Sequence, residues 1–267
     1  MTKPNAHDVE KIIAEYTEEY CYILELAYGP GLMSEGGAEA IESMFEHITL
    51  DGTKALDIGA GLGGVAHYLV QQYAMHITGL EINPWMVAEA GRRVTPELKD
   101  KLDFVAYSDP DTLPFGDGLF DIVYSKGVLT HIADKTSLFN EVHRTLDADG
   151  HFVINDWLSP TDGQWGPIMQ SMCELEDLTI YGVSPTHYIK LLNDAGFKVL
   201  HQNNRSPAHQ RYNADIAARL SEPANAKECQ ERFGHDAWQE SKESYALIAK
   251  AIEAGELLVY EFVASRQ

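Results

Sequence analysis

Basic residues are scarce in this chain of 267: Lys and Arg number 20 against 41 Asp and Glu, a formal net charge of −21. So negative a field repels phosphate backbones and anionic bilayers, which argues against nucleic acid or a membrane as partner. Cysteine is scarcer still, with Cys21, Cys173 and Cys229 alone. An odd, widely spaced set fits neither a disulfide framework nor a cysteine zinc site, and suits free thiols in a reducing cytosol. No apolar run reaches the ~18 residues of a membrane span. Met1 to Asp8 has no apolar stretch of the kind a secretion signal carries. Histidine lacks pattern as well: His143, His187, His201, His209 and His235 show neither H-x-E nor H-x-x-x-H spacing, so no metal site is expected. What is left is an ordinary globular balance, 45% hydrophobic and 23% charged. It reads as a cytoplasmic protein of one large domain, or one domain with inserts.

Helical spacing runs from Asp8 to Gly29 through Val9, Ile12, Ile13, Tyr16, Tyr20, Ile23 and Leu24, and stops at Gly29-Pro30-Gly31. A second helix is read over 38–48. From Lys54 the texture changes to short buried strands over 54–58, 76–80, 103–107, 120–125 and 150–156, with helices between them over 65–73, 84–94 and 134–146. That alternation implies parallel βαβ units in an open, doubly wound, mostly parallel Rossmann-like α/β sheet. The stretch 157–183, rich in aromatics, Met and acids, reads as an inserted lid after strand five. Ser184-Pro185-Thr186 opens the next helix, and Gly196 ends it. A strand over 197–200, a largely helical 212–254 and a last strand over 257–264 complete the pattern. Helix before strand suggests that this last strand is antiparallel and closes the sheet. The expected organisation is an N-terminal helical lid over 1–50 and a core over 51–267, with 157–183 and 203–250 as substrate-side inserts.

Two features carry the functional reading. Leu56-Asp57-Ile58-Gly59-Ala60-Gly61-Leu62-Gly63-Gly64 is a strand end running into a glycine turn and a helix, where a ligand can approach the backbone closely. Glu81 follows at the end of the next strand, about 20 residues on, where a ribose-binding acid belongs. On these residues alone a dinucleotide stays open beside another nucleoside. Asp57 ahead of the first glycine suits a cationic or amino-acid ligand better than pyrophosphate, and no clean third glycine completes G-x-G-x-x-G.

Asp57-Ile58-Gly59-Ala60-Gly61 resembles the first motif of class I S-adenosylmethionine (SAM)-dependent methyltransferases, whose ribose-binding acid Glu81 also resembles. Asp109, in Ser108-Asp109-Pro110, is similar to their acid facing adenine, and Phe120-Asp121-Ile122-Val123-Tyr124-Ser125 to their fourth-strand motif. Tyr16-Thr17-Glu18, Met33-Ser34-Glu35-Gly36-Gly37 and His131 extend the likeness to phosphoethanolamine N-methyltransferases and the related sarcosine/dimethylglycine N-methyltransferases. The resemblance implies that an N-terminal helix closes over the cofactor and that Tyr16 pairs with His131 as the catalytic residues. It further implies a SAM site of Tyr16, Met33, Ser34, Asp57, Gly59, Gly61, Glu81, Ile82, Asp109 and Ser125, with Ser34 at the cofactor's amino-acid end and S-adenosylhomocysteine as product.

Methyl transfer from a sulfonium demands alignment, and an amine acceptor must also lose a proton, a task that suits the imidazole of His131. Tyr16 would orient it and help exclude water. Glu15, Asp156, Trp157, Trp165 and Tyr181 are candidates to surround a cationic product. Lys126, Arg205 and Arg211 are candidates to hold an acceptor carboxylate, the two arginines from a polar loop over 203–212. Departures from phosphoethanolamine enzymes stand beside these likenesses. Glu15 replaces the Gln expected beside the Tyr, Gly127 replaces an acid four residues before the His, and Met172-Cys173-Glu174-Leu175-Glu176-Asp177-Leu178 has no Arg for a phosphate. The expected reaction is therefore methylation of nitrogen on a small polar amine, such as sarcosine/dimethylglycine or an ethanolamine derivative. Methylation of oxygen, sulfur or carbon, on another small or lipid-like acceptor, is the alternative, and no oligomeric state is implied.

Overall fold

A computed structural model of the chain describes residues 6–109 and 112–267. Residues 1–5 of the expected lid, and Pro110 of the Ser108-Asp109-Pro110 stretch, lie outside them. Two helices, α1 (Ala6–Glu15) and α2 (Glu18–Tyr28), stand where the sequence spacing reads one. The chain breaks at Tyr16-Thr17 because the Thr17 side chain accepts from the Tyr20 N–H at 3.2 Å and starts α2 afresh. The Tyr16 carbonyl meanwhile accepts from Asn83 Nδ2 at 3.3 Å.

There follow α3 (Gly37–Met44), β1 (Lys54–Ile58), α4 (Gly64–Gln72), β2 (His76–Glu81), α5 (Pro84–Arg93), β3 (Leu102–Ala106) and β4 (Phe120–Lys126). Next come α6 (Lys135–Thr145), β5 (Leu146–Leu158), α7 (Pro167–Leu175), α8 (Pro185–Asp194) and β6 (Phe197–Asn204). The chain ends with α9 (Ser206–Ser221), α10 (Pro223–Phe233), α11 (His235–Glu253) and β7 (Leu258–Arg266).

Among the described residues the strands form one seven-stranded sheet of order β3-β2-β1-β4-β5-β7-β6. It is the expected doubly wound, mostly parallel Rossmann-like arrangement. β7 is antiparallel, but it does not close the sheet. It lies between β5 and β6, paired with β5 from His151↔Ser265 to Leu158↔Leu258, and leaves β6 at the edge. Side chains explain the order: β7 buries Glu261, Phe262, Val263 and Ala264, as an interior strand does, whereas β6 is exposed over 200–204 and tolerates an edge.

One face of the sheet packs Leu138, Phe139 and Val142 of α6 and Tyr188 and Leu192 of α8 against Phe152 and Phe197. The other packs Ile41 and Met44 of α3 and Leu69 and Val70 of α4 against Ala55, Ile77 and Tyr124. Each such buried side chain contributes roughly 1.5–3 kcal/mol. A third cluster joins α2, α7, α9 and α11 through Leu24, Tyr28, Met169, Met172, Ile216 and Ile248, and roofs one side of the molecule. Residues 203–212, read as a polar loop, are the end of β6 and the start of α9. Arg205 is the N-cap position and Pro207 sits in the first turn, where a missing N–H is harmless.

Candidate active site

The C-terminal ends of β1, β2 and β4 open into a cleft of about 1300 Å³, its mouth included. Crevices at this end of a doubly wound sheet are where ligands bind. Gly59 and Gly61 turn the chain there with φ of +74° and +55°. A Cβ on Gly59 would fall 2.5 Å from the Val128 side chain, and one on Gly61 2.8 Å from Met33, so only glycine lets these segments meet. The turn is tied to β2: Gly59 and Ala60 N–H both donate to the Leu80 carbonyl, at 2.8 and 3.1 Å. Glu81 closes the corner, its Oε2 accepting from Gly61 N–H at 2.9 Å and its Oε1 from Asn83 N–H at 3.0 Å. Burial raises the Glu81 pKa, and these backbone donors act against the rise. With Ile82 N–H a third backbone donor, the carboxylate keeps one lone-pair site for a ligand hydroxyl. Asp57 is buried behind the turn, its carboxyl pushed up to about 7 by burial, with the nearby Tyr124 hydroxyl opposing the rise and the charge of Glu81 adding to it. Its Oδ2 has no hydrogen-bond partner.

The N-terminal segment covers this cleft. Tyr16, at the break between α1 and α2, places its hydroxyl 3.1 Å from Nε2 of His131, which ends a short 3-10 turn after β4. On the far side of the ring, Nδ1 lies 3.2 Å from the Thr179 carbonyl. A carbonyl only accepts, so Nδ1 carries the hydrogen and Nε2 accepts from the Tyr16 hydroxyl. Burial holds this imidazole down to about 4, with Thr179 opposing and Lys135 adding to the depression. Burial lifts the Tyr16 hydroxyl well above its ordinary value, helped by Glu176 and Glu15. The pair is therefore neutral at neutral pH.

Of the residues singled out in the sequence, Tyr16, Met33, Gly59, Gly61, Glu81, Ile82, Lys126, His131 and Tyr181 all line the cleft. Lys126 is buried, and its Nζ donates to Ser34 Oγ at 2.8 Å and to the Glu35 carbonyl at 2.6 Å. The remainder stand elsewhere. Ser125 donates its hydroxyl to the Ile58 carbonyl at 3.0 Å, which knits β4 to β1. Asp109 is exposed beyond β3, whereas Tyr107 of the same segment lines the cleft. Glu15 turns its carboxylate 3.9 Å from Lys11 Nζ, and burial raises its pKa. Asp156 is buried, accepting from Thr130 N–H and the Tyr188 hydroxyl, so it braces the turn that carries His131. Arg205 pairs with Glu261 at 3.6 Å and Glu39 at 3.4 Å, and Arg211 is exposed on α9. Neither arginine lines the cleft, because the segment that carries them is strand end and helix start, held away from the opening.

A second cavity of about 490 Å³ adjoins the first and shares Tyr16, Met33, Gly127 and His131 with it. Ser34 and Trp157 line it, together with Glu35, Thr130 and Glu176, which the sequence reading passed over. Asn83 and Thr179 were passed over as well. Asn83-Pro84 after a strand is a helix-start signal, and Asn83 does cap α5 by accepting from Trp85 and Met86 N–H. Thr179 matters through its carbonyl, which no side-chain pattern reveals. Among the described residues no group of three or more His, Cys, Asp or Glu is placed to hold a metal ion. No helix there is long and apolar enough to cross a membrane.

Residues 56–154 match the methyltransferase domain family. The seven-stranded sheet has the Rossmann-like fold found in class I methyltransferases. It is 32% identical over 178 residues to phosphoethanolamine N-methyltransferase 1 of Zea mays, a match that covers 65% of this chain and 34% of that one. The chain thus spans about a third of the length of this curated relative. In fold it is similar, with a TM-score of 0.85, to phosphoethanolamine N-methyltransferase 2 of Haemonchus contortus, solved with phosphomonomethylethanolamine and S-adenosylhomocysteine. That likeness has 20% identity and covers 98% of this chain and 60% of the other. A protein of Galdieria sulphuraria described as a sarcosine dimethylglycine methyltransferase is similar with a TM-score of 0.77 and 20% identity, covering 93% of this chain and 97% of that one.

Proposed function

We propose that this chain transfers a methyl group from SAM to the nitrogen of a small polar amine, of the type of sarcosine/dimethylglycine or an ethanolamine derivative, and releases S-adenosylhomocysteine. The N-methyltransferases it resembles support the reading. In it, residues 1–50 act as lid and 51–267 as core, with 157–183 and 203–250 on the acceptor side. Three unpaired cysteines suit a cytoplasmic setting.

The cleft fits the cofactor. Glu81 turns its carboxylate to the corner where ribose hydroxyls would sit, Ile82 and Tyr107 offer apolar walls, and Asp57 lies buried behind the glycine turn. When bound, SAM supplies an electrophilic methyl on sulfur. This chain's residues supply the rest. The carbon–nitrogen bond forms as the carbon–sulfur bond breaks, so the amine must arrive with its lone pair free and aligned. The Tyr16 oxygen donates to His131 Nε2 and can accept an amine N–H, which points the lone pair at the methyl group. A released proton passes through Tyr16 to Nε2, and an imidazole with a pKa of about 4 hands it on to solvent.

The observation that carries this reading is the Tyr16–His131 hydrogen bond at the junction of two cavities, one for each reactant. It is tested with His131→Ala. SAM affinity by calorimetry is expected to stay, while S-adenosylhomocysteine release over a panel of amines falls by roughly 10²–10⁴-fold. Unchanged turnover would remove His131 from the reaction, and wild type without SAM binding would remove the reaction itself.

A further inference from the structure

The second cavity has a wall of unusual composition for an acceptor site in this setting. Glu35 is buried, at 4% exposure. Burial alone would raise its pKa, but His209, whose Nδ1 lies 3.2 Å from Oε1, together with Lys126 and the Trp157 indole brings it to about 2. It is ionised. Glu176 accepts from the Tyr20 hydroxyl at 3.0 Å and from the Ser244 hydroxyl. Burial raises its pKa, and the charges of Glu240 and Glu35 add to the rise. A cation seated between Glu35 and Glu176 would offset both effects. The rings of Tyr20, Tyr28 and Trp157 form much of the remaining wall, and cations are held well by aromatic surfaces.

Thr130 supplies an independent observation. It is 2% exposed, lines the chamber, and its Oγ1 has no hydrogen-bond partner. A buried hydroxyl left without a partner costs about 1–3 kcal/mol, which a bound hydroxyl or ammonium would offset. Positive charge is missing from the wall: among the described residues lining the chamber none is Lys or Arg. Lys126 stands at the boundary with its Nζ already donating to Ser34 and Glu35. A phosphate or carboxylate on the acceptor would be desolvated beside the ionised Glu35 with no Lys or Arg on the chamber wall to meet it.

We infer that this chamber narrows the acceptors proposed above to an amine bearing no acidic group, of the amino-alcohol or diamine type and not sarcosine or dimethylglycine, and seats its cationic nitrogen among Glu35, Glu176 and the aromatic wall. That a nitrogen held there is methylated rests on the reading above; the preference for a cation without an acid rests on the chamber itself. The two agree in electrostatics. As the nitrogen–carbon bond forms and the sulfur–carbon bond breaks, positive charge moves from sulfur to nitrogen, toward the carboxylates, and a fixed negative wall favours that movement.

Three probes share one trimethylammonium head and differ in the tail: choline with a hydroxyl, phosphocholine with a phosphate, and glycine betaine with a carboxylate. Each is titrated calorimetrically into the full chain, with and without S-adenosylhomocysteine. Choline is expected to bind at least about tenfold more tightly than either acid-bearing probe. Glu176→Gln and Glu35→Gln are each expected to weaken choline about tenfold while leaving SAM affinity unchanged. Phosphocholine or betaine binding as tightly as choline, choline failing to bind, or both folded variants binding choline like wild type would overturn the inference. Where a variant does not fold, the wild-type ranking of the three probes decides alone. A chain that prefers choline but does not bind SAM would keep the chamber's selectivity and lose the methyl-transfer reading.

Discussion

His131 gives the clearest consequence at the scale of a single residue. In an unfolded chain its imidazole takes a proton near pH 6.5, whereas burial in the fold holds that pKa down to about 4. A base with a depressed folded pKa binds fewer protons when folded. Its contribution to stability is therefore complete above pH 6.5 and is lost as pH falls toward 4, by about 3 kcal/mol in total. Asp57 and Asp156 act with the opposite sign, since burial raises them to about 7 and about 6 and the folded state takes up their protons first. Whole-protein stability against pH mixes these effects, so the contrast must be drawn between wild type and His131→Asn. Denaturant titrations at pH 7.5 and pH 4.5 are expected to show the variant gaining on wild type at the acid end by up to about 3 kcal/mol. Parallel curves would mean that the ring is not held neutral by burial.

At the scale of elements, the N-terminal segment makes one notably close backbone crossing. The Gly64 N–H at the start of α4 donates to the Gly31 carbonyl at 3.0 Å, and a Cβ on Gly64 would lie 2.4 Å from the carbonyl carbon of Gly31. Gly31 in turn donates to Glu25 Oε1 at 2.5 Å, and Arg93 of α5 grips the same carboxylate. Gly64→Ala should push this strap off α4 and, with it, Met33 and Ser34. The expected loss is about 1–3 kcal/mol of stability, as for other overpacked sites, together with faster hydrogen exchange over 9–34; unaltered exchange there would show that the crossing does not hold the N-terminal segment. Some of this architecture is legible in sequence, because β1, the glycine turn, β2 and Glu81 are consecutive and local chemistry dictates them. The break at Tyr16-Thr17 is not, since no glycine or proline marks it and part of what fixes it, Asn83, arrives from β2's end. Nor is the interior place of β7, which follows from pairing with β5 over eight positions far back in the chain. Arg205 is illegible for a different reason: Ser206-Pro207 announces a helix start, but polar neighbours on both sides read as loop. Glu35 stood inside a recognised stretch, yet its charge state depends on His209 and Trp157, which only the fold brings to it.

For the whole molecule, the excess of 41 acids over 20 bases sets two responses to salt that run in opposite directions. Even if every basic side chain were paired, as Arg93 is with Glu25 and Arg144 with Glu141, a net charge of −21 would remain to repel itself in the folded state. The screening length is about 30 Å at 0.01 M salt and about 3 Å at 1 M, so at low salt these charges feel one another across the protein. Raising sodium chloride from 0.01 to 0.5 M should therefore raise the melting temperature by several degrees, whereas sucrose, which screens nothing, separates this from exclusion effects. The same field would draw the cationic amine proposed above toward the cleft, and screening would weaken that steering. For a cationic acceptor, kcat/KM should accordingly fall several-fold over the range in which stability rises. For a zwitterionic acceptor the fall should be small, because its net charge is zero. A melting temperature that does not rise with salt would show that the surface charge is already neutralised by bound counterions. A salt response of kcat/KM equal for both acceptors would show that the field plays no part in bringing the amine to Tyr16 and His131.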